Sequence, residues 1–313
     1  LKQLSLKEEE ILKLLPNEPF TTREIKSNRG NVKVAFILRS LVERGLVRRK
    51  GKSRKIEEVY IMGKEIELEK LNSMTKYPSI LTYHKIDKIE NRGRLLDEIQ
   101  VDFEGQKVIL TEKVDGVNGR IILFPDGFYI IGSREELLYA KGDLIGNPQL
   151  GIVDVLKPIA EKLIPRSHLT IFYFEIFGGK TTKNSKQYTR SGQLSCRLFD
   201  IAFFPKSLEE KVIQLPIEQI ASWRDNGGQL FYDELSLDVT EFSLTLTPRI
   251  GEDVVPNGSV REVYDWLKTK IQTTQCSLDD GALGRPEGLV VRTFDRSKIA
   301  KIRFEDYERT MRK

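Results

Sequence analysis

Apolar residues recur along this chain with two different periods, and the change of period divides it. Near the start the spacing is helical. Ser5 and Glu8 form a capping box ahead of Ile11, Leu12, Leu14 and Leu15, and Pro16 ends that run. Thr21 and Thr22 can cap a short TREIK helix, and Val34, Ile37, Leu38, Leu41 and Val42 share one face of a third helix stopped by Gly45. LVRRKGKSRKIEEVYIM (46–62) then reads as two strands joined by a Gly-Lys-Ser turn. KEIELEKLNS (64–73) has the composition of a charged linker, and MTKYPSI (74–80) reads as the start of a second domain. Beyond it, strand-like runs occupy 106–133, 170–177, 195–204, 240–249 and 287–304, with helical pieces near 149–164 and 259–272. SLEEKVIQLPIEQIASWRDNG (207–227) reads as helical and surface-exposed, and the pattern assigns it no role. The predicted fold class is α+β, with two mixed antiparallel sheets about a cleft.

Composition changes this picture little, but charge changes it considerably. With 39% hydrophobic and 31% charged residues over 313 positions, the chain suits a soluble two-domain protein. Its longest apolar run, LTIFYFEIF (169–177), is interrupted by Glu175 and is too short to span a bilayer, so no membrane role is expected. The amphipathic LKQLSLKEEEILKLL does not resemble a signal peptide. Two distant cysteines, Cys196 and Cys276, and two histidines, His84 and His168, exclude a spaced zinc site, a haem motif and a histidine-based triad, and they suit a reducing cytoplasm.

Residues 1–73 hold 17 Lys/Arg and 11 Asp/Glu, a net +6, whereas the other 240 hold 34 and 35, a net −1. Seven cations lie between Arg44 and Lys55 with no acid among them. Three helices and a two-stranded ribbon resemble a winged helix-turn-helix domain with this ribbon tip as its wing. Arg48, Arg49, Lys50, Lys52, Arg54 and Lys55 are therefore expected to contact nucleic-acid phosphates, a protein-docking module being the other use of such a domain. The expected division is a winged-helix domain at 1–63, a linker at 64–73 and a catalytic domain at 74–313.

The candidate chemistry begins at TEKVDGVNGR (111–120), where Lys113 stands two residues before an Asp-Gly turn and behind an apolar strand. An amine attacks only when neutral, and burial beside another cation favours that form. Gly116 allows a tight turn and a close approach of backbone to ligand. Alone, this string also describes an exposed hairpin. Four later segments add to it: FYFEIFGGK (172–180) with Glu175, SCRLFDIAFF (195–204) with Phe199 and Asp200, EGLVVRT (287–293) with Glu287, and KIAKIRFEDY (298–307) with Lys301 and Arg303 on one face by period two. Core packing accounts for Phe199 taken singly, and strand-edge carboxylates account for the glutamates. Together they supply a nucleophile, two carboxylates, an aromatic and a cation pair, the parts of a nucleotidyl-transfer site.

In that order and spacing the chain resembles the covalent nucleotidyltransferase superfamily of ATP-dependent ligases and capping enzymes, from about Met74 onward. The TEKVDGVNG form, with Asn118, looks most like RNA ligases that seal nicked duplex RNA. The resemblance implies an adenylation domain in which Lys113 attacks the α-phosphorus of ATP. Glu112 and the neighbouring backbone would face the adenine with Phe199 stacked on its ring, and Glu175 would contact the ribose. Arg134 of GSREE (132–136) would hold ribose or phosphates and Asn118 would orient the phosphates. Glu287 would bind Mg²⁺ (or Mn²⁺), and Lys301 and Arg303 would clamp the α-phosphate. AMP would then pass to a 5′-phosphate of RNA and be displaced by a 3′-hydroxyl.

There are two departures from the pattern. The final motif is usually Lys-x-Lys, whereas here it is Lys301-Ile302-Arg303, with Lys298 a weaker substitute. Only ten residues follow Arg303, too few for the OB domain of capping enzymes and ordinary DNA ligases. A minimal DNA ligase would share every nucleotide-binding residue. A nucleic-acid-binding regulator with a nucleotide-sensing domain is the remaining reading.

Overall fold

A computed structural model describes residues 68–89, 93–141, 149–232 and 244–312, together with the backbone of four short strand segments, three of which precede residue 68. Those three are β1 (Phe20–Thr21), β2 (Val47–Lys52) and β3 (Glu58–Met62), joined antiparallel in the order β1-β3-β2. The two expected ribbon strands are therefore paired. The three expected helices and the ribbon tip at 53–57 lie outside the described residues.

The stretch expected to be a linker ends in a helix, α1 (Leu68–Thr75). Leu71 and Met74 on it are buried in a hydrophobic cluster, so packed structure begins before Met74. The charge at Glu65, Glu67, Glu69 and Lys70 masks the two apolar positions that matter, because they stand three apart on one helical face.

Next come β4 (Leu81–Thr82), β5 (His84–Ile86), β6 (Leu95–Ile99), β7 (Lys107–Lys113), β8 (Val117–Leu123), β9 (Tyr129–Ser133), β10 (Leu137–Ala140) and β11 (Asp143–Leu144). Helix α2 (Ile152–Ala160) leads to β12 (Leu169–Gly178) and β13 (Leu194–Phe204). Helices α3 (Lys206–Ile213) and α4 (Ile217–Asp225) and strand β14 (Leu230–Phe231) follow. The last elements are β15 (Arg249–Val254), α5 (Val260–Lys270), β16 (Gly288–Arg292), β17 (Ile299–Arg303) and α6 (Phe304–Met311).

Two sheets dominate. The larger runs β11-β10-β9-β8-β12-β13-β14, and the smaller β15-β7-β16-β17-β4. Strand β12 is central and covered on both faces, which explains its unbroken apolar run. Its Phe172, Phe174 and Ile176 join a cluster with Leu156 of α2, while Ile171 and Tyr173 join Leu71 of α1, Val212 of α3 and Ile220 of α4. Helices α3 and α4 thus cover one face of the sheet through buried Val212 and Ile220, which corrects the expectation of a surface-exposed segment. Of the strand expected at 240–249, positions 240–243 lie outside the described residues, Leu246 forms an isolated bridge with Leu198, and a regular strand is described at Arg249–Val254; α6 follows β17 where only strand pattern was read.

In the smaller sheet Val108, Leu110, Leu289, Val291, Ala300 and Ile302 face a core shared with Val263 and Leu267 of α5 and Tyr307 of α6. Pleating then turns Thr111, Lys113, Val290, Lys301 and Arg303 to the opposite side, towards the larger sheet. Among the described residues no helix is long and apolar enough to cross a membrane.

Candidate active site

Between the two sheets lies a cavity of about 530 Å³. Lys113, Asn118, Arg134, Glu175, Phe199, Glu287, Lys301 and Arg303 all line it, so residues almost 190 positions apart in the chain converge on one space. Lys113 ends β7, and Gly288 at the start of β16 is its cross-strand partner. The Lys113 Nζ donates to Glu287 Oε2 at 2.6 Å, with 23% and 18% of the two side chains exposed. Arg303 Nη1 reaches the other Glu287 oxygen at 3.6 Å.

Glu175 and Asn118 face the cavity from paired positions on β12 and β8. The Glu175 carboxylate accepts the Gly116 N–H at 3.1 Å. Burial raises Glu175 to about 7; Lys113 pulls the other way, while Glu287 and Asp115 add to the rise. Asn118 Oδ1 is buried and accepts no hydrogen bond within the protein. Such an atom is costly unless a ligand supplies a donor or a metal ion. Lys301 is lowered, first by burial and then by Arg303 and Lys113 beside it.

Gly116 serves a purpose other than a ligand's approach. A Cβ there would stand 2.2 Å from the Ile176 carbonyl oxygen, so the turn after Lys113 can lie against β12 only as glycine. The turn is also braced from outside: the Asp115 N–H donates to the Tyr188 hydroxyl at 2.7 Å, and Asn184 Nδ2 to Asp115 Oδ2 at 2.5 Å.

Glu112 has partners within the protein as well. Although it borders the cavity, it shares the core-facing side of β7 with Val108 and Leu110, and its carboxylate is taken. Thr274 Oγ1 donates to one oxygen at 2.5 Å and the Gln275 N–H to the other at 2.8 Å. The side chain holds the 274–276 loop from a position that borders the cavity. Arg303 is also partly committed. Its Nε and Nη2 donate to the two Asp306 oxygens at 2.7 and 2.9 Å, tying β17 to α6. A lysine could not make this paired contact, which gives a physical reason for Arg in the final motif.

Sequence reading missed a polar knot on the aromatic side. Asp200, fully buried on β13, accepts from the Tyr77 hydroxyl at 2.8 Å and from Arg296, which also donates to Tyr77 at 2.9 Å. Tyr77 meets Phe199 edge-on at 4.9 Å between ring centres. The available signal was an aspartate inside an apolar strand, which requires a cationic partner elsewhere. Arg120 was missed too. Wholly buried, it donates to the carbonyls of Ser133 and Arg134, the latter at 3.2 Å, and to Asn72, fixing the turn that carries Arg134. Arg48, Arg49, Lys50 and Lys52 lie on β2, Arg54 and Lys55 outside the described residues, and nothing is described of these side chains.

Compared with curated proteins, the chain matches none. Among solved structures it is similar to a Naegleria gruberi RNA ligase with pyrophosphate, at 14% identity and a TM-score of 0.39, covering 81% of this chain and 65% of that one. Two variants of that ligase solved with ATP and manganese give 14% and 13% identity and TM-scores of 0.42 and 0.41. They cover 83% and 86% of this chain and 76% and 80% of theirs. The chain thus spans slightly less than two thirds of the first of these structures. A family model described as RNA ligase matches residues 106–303. This is well over half of the chain, and it contains every charged side chain that borders the cavity. The chain belongs to the RNA ligase family.

Proposed function

We propose that this protein is an ATP-dependent RNA ligase that joins a 5′-phosphate to a 3′-hydroxyl through a covalent lysyl-AMP. The observation that carries the reading is the convergence of Lys113, Glu175, Glu287, Lys301 and Arg303 on one cavity within the family-matched region. Lys113 Nζ attacks the α-phosphorus of ATP, forming a phosphorus–nitrogen bond as the bond to pyrophosphate breaks. A 5′-phosphate oxygen of RNA then takes the AMP from Lys113, giving a 5′–5′ pyrophosphate linkage. Finally a 3′-hydroxyl oxygen attacks the terminal phosphorus, expelling AMP and sealing the strand.

Each residue has a place in this sequence. Lys301 and Arg303, on one face of β17, offset negative charge building on the α-phosphate. Phe199 offers an aromatic face for adenine, and Glu175 accepts hydrogen bonds from the ribose. Arg134 reaches the cavity rim from a fixed turn to hold ribose or phosphate oxygens. Glu287 and Asn118 Oδ1 are oxygen donors suited to Mg²⁺ or Mn²⁺, ions that keep water and substrate phosphates in their shells. Among the described residues no cluster of three or more His, Cys, Asp or Glu forms a closed metal cage, which fits such an ion. When bound, the metal would neutralise charge on the phosphates.

Residues 1–63, with the ribbon cations Arg48 to Lys55, would tether the RNA as a winged-helix module. Incubation with α-labelled ATP and Mg²⁺ tests the central step. Labelled protein is expected from the wild type and none from Lys113→Ala; equal labelling of both overturns the reading. Sealing of matched RNA, DNA and hybrid nicks then separates an RNA ligase from a minimal DNA ligase.

A further inference from the structure

The catalytic domain's near-zero net charge conceals one strongly basic surface. Between Glu175 and Asp200 the sequence contains no acidic residue, and GKTTKNSKQYTRSGQ (179–193) carries Lys180, Lys183, Lys186 and Arg190. All four are exposed, while Thr181, Ser185, Tyr188 and Thr189 between them are buried. The segment is thus a built platform with its cations outward at intervals of three, three and four.

Several other surface cations of this domain have acidic partners, as in Lys107–Glu252, Lys268–Asp265 and Lys298–Glu104. Lys180, Lys183, Lys186 and Arg190 form no ion pair among the described residues. Two carboxylates that meet this loop are held by its uncharged groups. Asp279 accepts from the Arg190 and Ser191 N–H groups and from the Thr189 and Ser191 hydroxyls, and Asp115 accepts from Asn184. The fold therefore spends acid on positioning the loop and leaves its cationic side chains unneutralised, a pattern that serves a polyanion.

The platform is sewn to the active site on two sides. Tyr188 and Asn184 hold Asp115 in the turn after Lys113. The Gly284 N–H donates to the Gln187 carbonyl at 3.1 Å and the Leu278 N–H to the Tyr188 carbonyl at 2.8 Å, in the loop that leads to Glu287. Its aromatic, Tyr188, is fully buried, so the surface offers charge without a ring on which a base could stack.

We propose that Lys180, Lys183, Lys186 and Arg190 form a second polynucleotide-binding surface, which grips backbone phosphates of the RNA next to the ends being joined, without reading sequence. The proposal rests on the RNA ligase reading and locates its polymer substrate on the catalytic domain itself.

The full chain carrying K180Q/K183Q/K186Q/R190Q tests it, with a nicked RNA duplex as probe and K180R/K183R/K186R as the charge-retaining control. The slope of log affinity against log salt is expected to fall by about 2–4, since each lost phosphate contact removes roughly 0.9. Sealing should drop about tenfold or more near ~0.15 M salt, with AMP adduct formation within about twofold of wild type and the arginine control unchanged. An unaltered salt slope and sealing rate with normal adduct formation would overturn the proposal. So would loss of adduct with a raised KM for ATP, which assigns the loop to nucleotide phosphates. A wild type that forms no adduct defeats the ligase reading instead, and the binding slopes still decide whether the surface holds RNA.

Discussion

Lys113 ends β7 and Glu287 immediately precedes the adjoining β16, with the ammonium of one donating to the carboxylate of the other over 2.6 Å. An amine engaged in this way presents no lone pair, so attack on ATP requires the two to part. A divalent cation drawn to Glu287 would part them. Glu287→Gln keeps the volume and removes the charge. The metal concentration for half-maximal adduct formation is expected to rise about tenfold or more, consistent with losing one charge-assisted contact worth about 1.5–3 kcal/mol. Titration of Mg²⁺ in the adduct assay reads this, and an unchanged requirement would leave Glu287 as a partner of Lys113 alone.

Glu175 should leave a mark on stability against pH. Its carboxyl is raised from an ordinary 4.5 to about 7, chiefly by burial. Between these values the folded protein holds a proton that the unfolded chain has released, so stability declines as pH rises through the window. The loss amounts to at most about 3 kcal/mol. Glu175→Gln removes this component. Denaturant titrations at several pH values should show the variant gaining on wild type from pH 4.5 towards 7, and parallel curves would contradict the assigned burial.

Gly116 admits no side chain. With a Cβ placed 2.2 Å from the Ile176 carbonyl, Gly116→Ala must push the turn away from β12 and shift Lys113. About 1–3 kcal/mol of stability should be lost. Adduct formation should fall by a larger factor than the unfolded fraction explains. Single-turnover labelling of the folded fraction separates the two effects.

Arg120 acts through the turn that carries Arg134. Arg120→Met fills similar space but leaves the Ser133 and Arg134 carbonyls without their buried donor. A stability cost of about 2–4 kcal/mol is expected. At temperatures where the variant remains folded, KM for ATP should rise more than kcat falls, as in Arg134→Ala. A variant with normal KM would confine Arg120 to packing.

The residues that line the cavity were legible because the family pattern fixes their order, and because strands place alternate side chains on one face. Lys301 and Arg303 are read from that periodicity. The bonds from Glu112 to Thr274 and Gln275 were not legible, because they join positions far apart in the chain. Asp200 showed only that some cation must meet it; Tyr77 and Arg296 could not be identified as its partners, since their bonds join positions more than ninety residues apart. Helix α1 was obscured in the sequence by the charged composition around its two buried apolar side chains. Strand β15 takes its bounds from pairing with β7, which local propensity does not encode.

The strand that ends in Lys113 has its two sheet neighbours far downstream: β15 begins at Arg249 and β16 at Gly288. During synthesis, Lys113 emerges from the ribosome long before either. The larger sheet can largely assemble first, from strands between Val117 and Phe231, while β7 waits as an unpaired ribbon. A nascent chain therefore carries Lys113 without its carboxylate partner until the segment from Glu287 onward has been made. The cavity between the two sheets closes late, with the arrival of β15, β16 and β17.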